Sequence, residues 1–293
     1  MKEYRFILAG YTRRSNKGVH ILNISLDKPE IDGLNSKDTI GSGPGKREET
    51  PYMSLVDSDV RDHSRLLLNI EDPSYMALDA DKLFVLSSGD EGGVKAYNFD
   101  RKREVLRPIG GVDMLGKAPC HLYFDRDKSL IYASNYHLGR LDILLLNEDG
   151  LSLAGSICLE GRGPISPNQD GPRCHMAIKD PSDRFTLVVN LGGDRVETYY
   201  IDTEGYDLVS SYHTRPGMGP RHMVFGPGGR HVYLMGELDS TVEVLAYDSA
   251  KGILKSISRV SSLPEGSESF TGNSGAAIKV TKLKNELGKY NLY

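Results

Sequence analysis

Residues 118–136 read APCHLYFDRDKSLIYASNY: a proline, a short apolar run, a turn of Asp125, Arg126, Asp127 and Lys128, and a second run with alternating apolar positions. A period of two broken by a polar turn marks a β-hairpin. The phrase returns as DPSYMALDADKLFVLSS (72–88), GPRCHMAIKDPSDRFTLVVNL (171–191) and GPRHMVFGPGGRHVYLMGEL (219–238). Aligned on Pro73, Pro119, Pro172 and Pro220, the copies are spaced by 46, 53 and 48 residues. A third apolar run follows each hairpin (GVKAYNF, RLDILLLN, RVETYYID, TVEVLAYD), and a weaker fourth comes after it. Four strands repeated at this period are the signature of a β-propeller. One such unit cannot bury both its faces, so units pack face to face around an axis. The expected fold is all-β, a propeller of four-stranded antiparallel blades.

Working outward, residues 4–12 and 18–25 (YRFILAGYT, GVHILNIS) fit the second and third strands of a unit without its first. A strand from the far end of the chain would complete it and close the ring. Full units then run over 73–118, 119–171, 172–219 and from 220 to about 270, and another begins at NSGAAIKVTKLKNELGKYNLY. The whole of 1–293 is expected to form one domain. KYNLY reads as an inner strand left without cover, and an uncovered edge invites pairing with another chain. This favours a further C-terminal piece over an open ring or an edge completed by oligomerisation. Residues 28–65 differ in being polar and glycine-rich, and are expected to form a long loop insertion. Gly45-Lys46 hints at a phosphate loop, but Arg47 stands where Ser or Thr is required. No strand–loop–helix context surrounds it either, so a solvated loop is expected.

With 36 Lys and Arg against 40 Asp and Glu, the chain has a formal charge of −4 and offers no basic surface for nucleic acid. No run approaches the roughly 18 apolar residues of a membrane span. The N-terminus, MKEYRFILAGYT, does not read as a secretory leader. Three cysteines, Cys120, Cys158 and Cys174, lack CxxC spacing and fit a reducing compartment, so a cytoplasmic location is expected.

The first strand of each blade borders the central channel, so equivalent positions on successive first strands form a ring. The proline alignment puts Tyr75, His121, His175 and His222 at the start of strand one. Ser88, Asn135, Asn190 and Glu237 fall at the end of strand two. The two strands are antiparallel neighbours, so both sets lie at one mouth, together with Arg221. Convergent polar groups in a concave mouth are the expected binding or active site. The same residues could simply hydrogen-bond neighbouring loops and keep the blades in register. A polar position repeated on an otherwise apolar strand argues for a shared cavity. Asp194, in NLGGDRV, either caps its turn or faces the site, and Asp239 occupies the matching turn. Arg140 and Arg173 are expected to be solvated. Cys120 and Cys174 each precede a ring histidine and are expected to point into the blade packing. The three histidines lack the local spacing of a metal site, so no metal is expected.

The strings PCHLYFD…YASNY, HMAIKDPSDRFTLVVNLGGDRV, GMGPRHMVFGPGGRHVYLMGELDSTVEVLAYD and FTGNSGAAIKV resemble the lactonase propeller family. That family includes the cyclase-like 6-phosphogluconolactonases and is related to the carboxy-muconate lactonising enzymes. The resemblance spans about residues 4–293 and implies seven blades, with C-terminal blades absent from this chain. It implies a catalytic set of His175, Arg221 and Glu237, and it also matches His121, Asn135 and His222. The departures are Ser88 or Glu91 in LSSGDEGG and Ala277 in AAIKV, where the family carries acids, and Asn190, where it carries Asp. A family Ser-Asn-Arg-Gly segment would follow Tyr293.

The expected function is hydrolysis of a sugar lactone, 6-phosphogluconolactone above others, in the pentose phosphate pathway. His175 is the natural general base, with Glu237 to orient it or to replace it, and Arg221 stabilises the oxyanion. Hydrolysis of a strained lactone would need no organic cofactor, so none is expected. His121, Asn135, His222, Asn190 and Asp194 are the expected substrate-binding residues. A phosphate on the substrate would need a further cation, such as protonated His222. Two alternatives stand open: a non-catalytic ligand- or protein-binding propeller, and a related lactone or cycloisomerase activity.

Overall fold

A computed structural model of the chain describes residues 2–12, 16–26, 64–88, 92–113, 117–266, 272–282 and 290–292. Most of the 28–65 insertion, with Gly45, Lys46 and Arg47, lies outside the described residues, as does Glu91. The described residues form strands and turns with no helix.

The first sheet joins β1 (Lys2–Leu8), β2 (Gly18–Leu26) and β3 (Ser64–Asn69) in that order. The third of these was not legible beforehand: Ser64 and Arg65 open an outer strand, although they close a polar stretch of sequence. Four sheets of four strands follow, each in sequence order. They are β4 (Met76–Asp79) to β7 (Val105–Asp113) with β5 (Lys82–Ser87) and β6 (Gly93–Asp100), and β8 (His121–Asp125), β9 (Leu130–Asn135), β10 (Arg140–Asn147) and β11 (Gly150–Cys158). Next come β12 (Cys174–Lys179), β13 (Thr186–Asn190), β14 (Arg195–Ile201) and β15 (Tyr206–His213). The last full blade is β16 (Pro220–Phe225), β17 (His231–Gly236), β18 (Thr241–Asp248) and β19 (Ile253–Ser261). A two-stranded sheet, β20 (Val280–Lys282) with β21 (Tyr290–Leu292), ends the described chain.

The inner strands β4, β8, β12 and β16 touch in succession, and so do the outer pairs β3–β7, β7–β11 and β15–β19. Blades therefore stack face to face, as their two-sided apolar strands require. The core is divided accordingly, with one cluster at each junction. Leu187, Val189, Met223, Leu234 and Leu245 fill one junction, Leu141, Cys174, Ala177 and Val188 the next, and Phe84, Leu86, Ile131 and Leu144 a third. Burying each of these side chains contributes about 1.5–3 kcal/mol before chain entropy is counted.

Polar groups tie the junctions together. At the third position of each third strand stand Lys95, Asp142, Glu197 and Glu243, and the three acids are buried. Glu243 Oε1 accepts from Tyr212 of the preceding blade at 2.9 Å, from Ser256 at 2.8 Å and from Arg259 at 3.0 Å. Asp142 Oδ1 accepts from Ser156 at 2.5 Å and lies 2.8 Å from Arg140 Nε. Arg140 is thus paired with a buried acid, where a solvated residue was expected. At the far ends of two inner strands, Lys179 and Asp125 form a buried ion pair at 3.1 Å.

Candidate active site

Each first strand begins, and each second strand ends, at the same mouth, where a cleft of about 690 Å³ opens. That volume lies in the range of small-molecule sites. His175, His222, Arg221, Glu237, Tyr75 and Ser88 line it, as the repeat alignment expects. Lys117, Cys120, Tyr136 and His137 line it too, along with Asp72 and Tyr11 from the side of the first sheet.

At its centre Arg221 Nε donates to Glu237 Oε2 at 2.7 Å, and His175 Nε2 stands 3.8 Å from the same oxygen. The imidazoles pack against one another: His175 and His222 have ring centroids 5.2 Å apart, and His121 and His222 are 5.7 Å apart. Tyr75 lies against His121 at 4.6 Å, and Tyr136 meets His175 edge-on at 5.7 Å.

This crowding sets the charges. Burial, helped by Arg221 and His222, pushes His175 down to about 3. Burial next to Arg221 and Lys279 brings His222 down to about 4. His121 falls well below the ordinary imidazole value, by burial and then by the two neighbouring rings. All three rings are neutral at pH 7, so His222 cannot serve as the cation that a phosphate would need. Burial raises Glu237 above the ordinary carboxylate value, against the pull of Arg221. Glu237 is therefore a stronger proton acceptor than His175.

Four expected substrate ligands sit elsewhere. His121 is buried and does not reach the cleft wall, and its Nδ1 has no partner among the described residues. Asn135 is fully buried: Nδ2 donates to the Lys117 carbonyl at 2.8 Å, and Oδ1 accepts from the Leu138 amide at 3.1 Å. Asn190 repeats the device, with Nδ2 on the Glu160 carbonyl at 2.9 Å and Oδ1 on the amides of Arg173 and Gly193, both at 3.0 Å. Asp194 accepts from the amides of Gly217 at 2.7 Å and Gly219 at 2.8 Å. Backbone groups thus take up the polar atoms of the two amides and of Asp194, and none of the three is among the residues lining the cleft. The matching Asp239 caps its own turn through Thr241 and pairs with Arg215 at 2.9 Å.

Cys174 is buried in the blade packing as expected, but Cys120 is not confined there. Its Sγ lies 3.8 Å from His175 Nδ1, across two blades. That spacing suggests a nucleophilic dyad, yet burial pushes the Cys120 thiol up to about 12. It stays protonated, and a thiol is not the nucleophile. Among the described residues no group of His, Cys, Asp and Glu is arranged to hold a metal ion.

Residues 56–288 match the model of the lactonase family, described as a seven-bladed β-propeller. The chain belongs to that family. A 6-phosphogluconolactonase of Bacillus subtilis is 31% identical over 224 residues, which cover 74% of this chain and 63% of that protein. An uncharacterized protein of Lactococcus lactis is 30% identical over 285 residues, covering 96% of this chain and 73% of the relative. The crystal structure of a protein from Lactobacillus plantarum superposes with a TM-score of 0.76 at 26% identity, over 96% of this chain and 73% of that one. Membership makes the chain an enzyme of the lactonase class. Among the described residues no helix is long and apolar enough to cross a membrane.

The residues missed in sequence have a common origin. Tyr136 and His137 follow directly after Asn135, in the turn that the antiparallel order places at the site mouth. Reading those turns, in addition to the strand ends, would have found them. Cys120 was expected in the blade packing because it precedes His121, but it lies one residue ahead of β8 and its Sγ reaches His175 on the first strand of the next blade.

Proposed function

We propose that the cleft hydrolyses a sugar lactone, with 6-phosphogluconolactone the foremost substrate, and that Glu237 is the general base. The observation that carries this reading is the Arg221–Glu237 pair at 2.7 Å beside a neutral His175. Water between Glu237 and the lactone gives its proton to the carboxylate as its oxygen attacks the ring carbonyl. The negative charge that develops on the carbonyl oxygen is met by the guanidinium of Arg221, which lines the cleft and whose Nε is held by Glu237. Charge stabilisation of this kind contributes most where the donors are fixed beforehand. The tetrahedral adduct then collapses, the bond from the carbonyl carbon to the ring oxygen breaks, and that oxygen takes the proton back from Glu237. Neutral His175 and His222 offer one donor and one acceptor each to sugar hydroxyls. The name of the Bacillus subtilis relative supports the phosphorylated substrate.

This differs from the expectation that His175 is the base. An imidazole brought down to about 3 takes a proton from water less readily than a carboxylate raised by burial. The direct test is proton release from freshly generated 6-phosphogluconolactone, glucono-δ-lactone and an unrelated aromatic ester. Turnover of the lactones well above the spontaneous rate supports the reading, and a background rate with every lactone rejects it.

A further inference from the structure

A phosphorylated substrate needs cations that the catalytic centre does not supply. Arg221 is engaged with Glu237, and the three imidazoles are neutral. Lys279, whose charge His222 feels, is exposed and is not among the residues lining the cleft. Two cations stand further out, Lys117 on the cleft wall and Arg173 stacked on the cleft residue Tyr136. Lys117 is exposed, and its backbone is anchored by the buried Asn135. Arg173 hangs from Asn190 through its backbone amide, and its guanidinium lies over the face of Tyr136 at 5.3 Å. Its Nη1 donates to the His137 carbonyl at 3.4 Å. The expectation of a solvated Arg173 gives way to a half-buried side chain stacked on a cleft residue. His137 feels both cations, which together with burial lower its proton affinity. The other edge of Tyr136 meets His175. One tyrosine ring thus separates a cationic rim from the reaction centre.

We propose that Lys117, Arg173 and His137 form an anion subsite that holds the phosphate of the substrate while the lactone carbonyl lies at Arg221 and Glu237. The inference rests on the lactonase reading of the same cleft and adds its choice of phosphorylated over plain lactones. Of the carboxylates that line the cleft, Glu237 is paired with Arg221, and Asp72 accepts from the hydroxyl of Thr12. The two buried asparagines gain a purpose here, since each fixes the backbone of one rim cation. A guanidinium and an ammonium together suit a phosphate dianion, the first by its planar fork and the second as a point charge.

The test compares kcat/KM for 6-phosphogluconolactone with that for glucono-δ-lactone in the wild type, Lys117→Ala, Arg173→Ala and the double variant. The ratio of the two is expected to fall on the order of tenfold in each single variant and further in the double one. It should also fall in the wild type as ionic strength rises, because exposed charges are screened. Calorimetric titration with 6-phosphogluconate and with gluconate gives a readout independent of turnover. Preference for the phosphorylated acid in the wild type, lost in the double variant, supports the subsite even where neither lactone reacts. An unchanged ratio in active variants overturns the subsite and leaves the lactonase reading standing. Absence of turnover with intact, subsite-dependent binding overturns the lactonase reading alone.

Discussion

The carboxylate of Asp194 holds the amide of Gly219 at 2.8 Å, and Gly219 returns its carbonyl to the amide of Glu237 at 2.8 Å. Two residues further on stands Arg221. One glycine therefore couples the link between two blades to both members of the Arg221–Glu237 pair. Its φ of +58° and the Leu238 side chain, which an added Cβ would meet at 2.5 Å, leave no room for another residue. Asp194, expected to bind substrate, instead positions the pair proposed to act on it.

Replacing Asp194 by Ala orphans two amides and is expected to cost on the order of 2 kcal/mol or more of stability. Asp194→Asn keeps one acceptor and should fall between Ala and the wild type. In both, kcat should drop with the loss of Arg221 placement, by about tenfold for Asn. Denaturant midpoints and kcat measured on the same preparations check this. A full loss of stability with unaltered kcat in the folded fraction would reduce Asp194 to a fold residue.

The pH dependence of activity separates the two candidate bases. With Glu237 as the base, activity falls on the acid side as that carboxylate takes up a proton, at a pH above the ordinary carboxylate value. No limb is expected near 6.5, because His175 and His222 titrate at about 3 and about 4. A limb near 6.5 that His175→Gln removes would restore His175 as the base. Profiles of kcat/KM, corrected for spontaneous hydrolysis, decide between them.

Stability follows from the same imidazoles. In the unfolded chain they take up protons near 6.5, while in the fold they stay neutral to about 3 and 4. Between those values the unfolded chain binds more protons, so stability is full above about pH 6.5 and is lost as pH falls. Glu237, raised in the fold, works the other way over a narrower range. Melting temperature should decline from pH 7 to pH 4, with a shallower slope in His175→Gln. An equal slope in that variant would contradict the burial argument.

Thiol labelling tests the assignment of Cys120 as inert. Cys158 is exposed, Cys174 is buried, and Cys120 is held protonated by burial. Iodoacetamide near pH 7.5 is expected to modify Cys158 first and to leave the other two in the folded protein. Rapid alkylation of Cys120 would show a thiolate and revive a Cys–His nucleophile.

The repeat made the fold legible, because a unit that must bury both faces leaves a strict strand pattern in the sequence. The mouth of the site was legible for the same reason: His175, His222, Arg221 and Glu237 sit at equivalent strand ends. What each residue does there was less so. Asn135 and Asn190 look like Glu237 in the alignment, yet an amide can satisfy a carbonyl and an amide N–H together and is drawn into the backbone. A carboxylate cannot donate, and it turns to Arg221 instead. The buried acid Glu243 escaped notice because its partners, Tyr212, Ser256 and Arg259, belong to other strands. The basicity of His175 depends on its burial and then on Arg221 and His222, all of which only packing supplies.

The most direct measurement is steady-state hydrolysis of 6-phosphogluconolactone by the wild type and Glu237→Gln, followed by proton release above the spontaneous rate. The two side chains have the same shape, but the amide cannot take up the proton. Wild-type turnover reduced roughly 100-fold or more in the variant is the predicted result. Equal turnover in the two proteins would remove Glu237 as the base and contradict the mechanism.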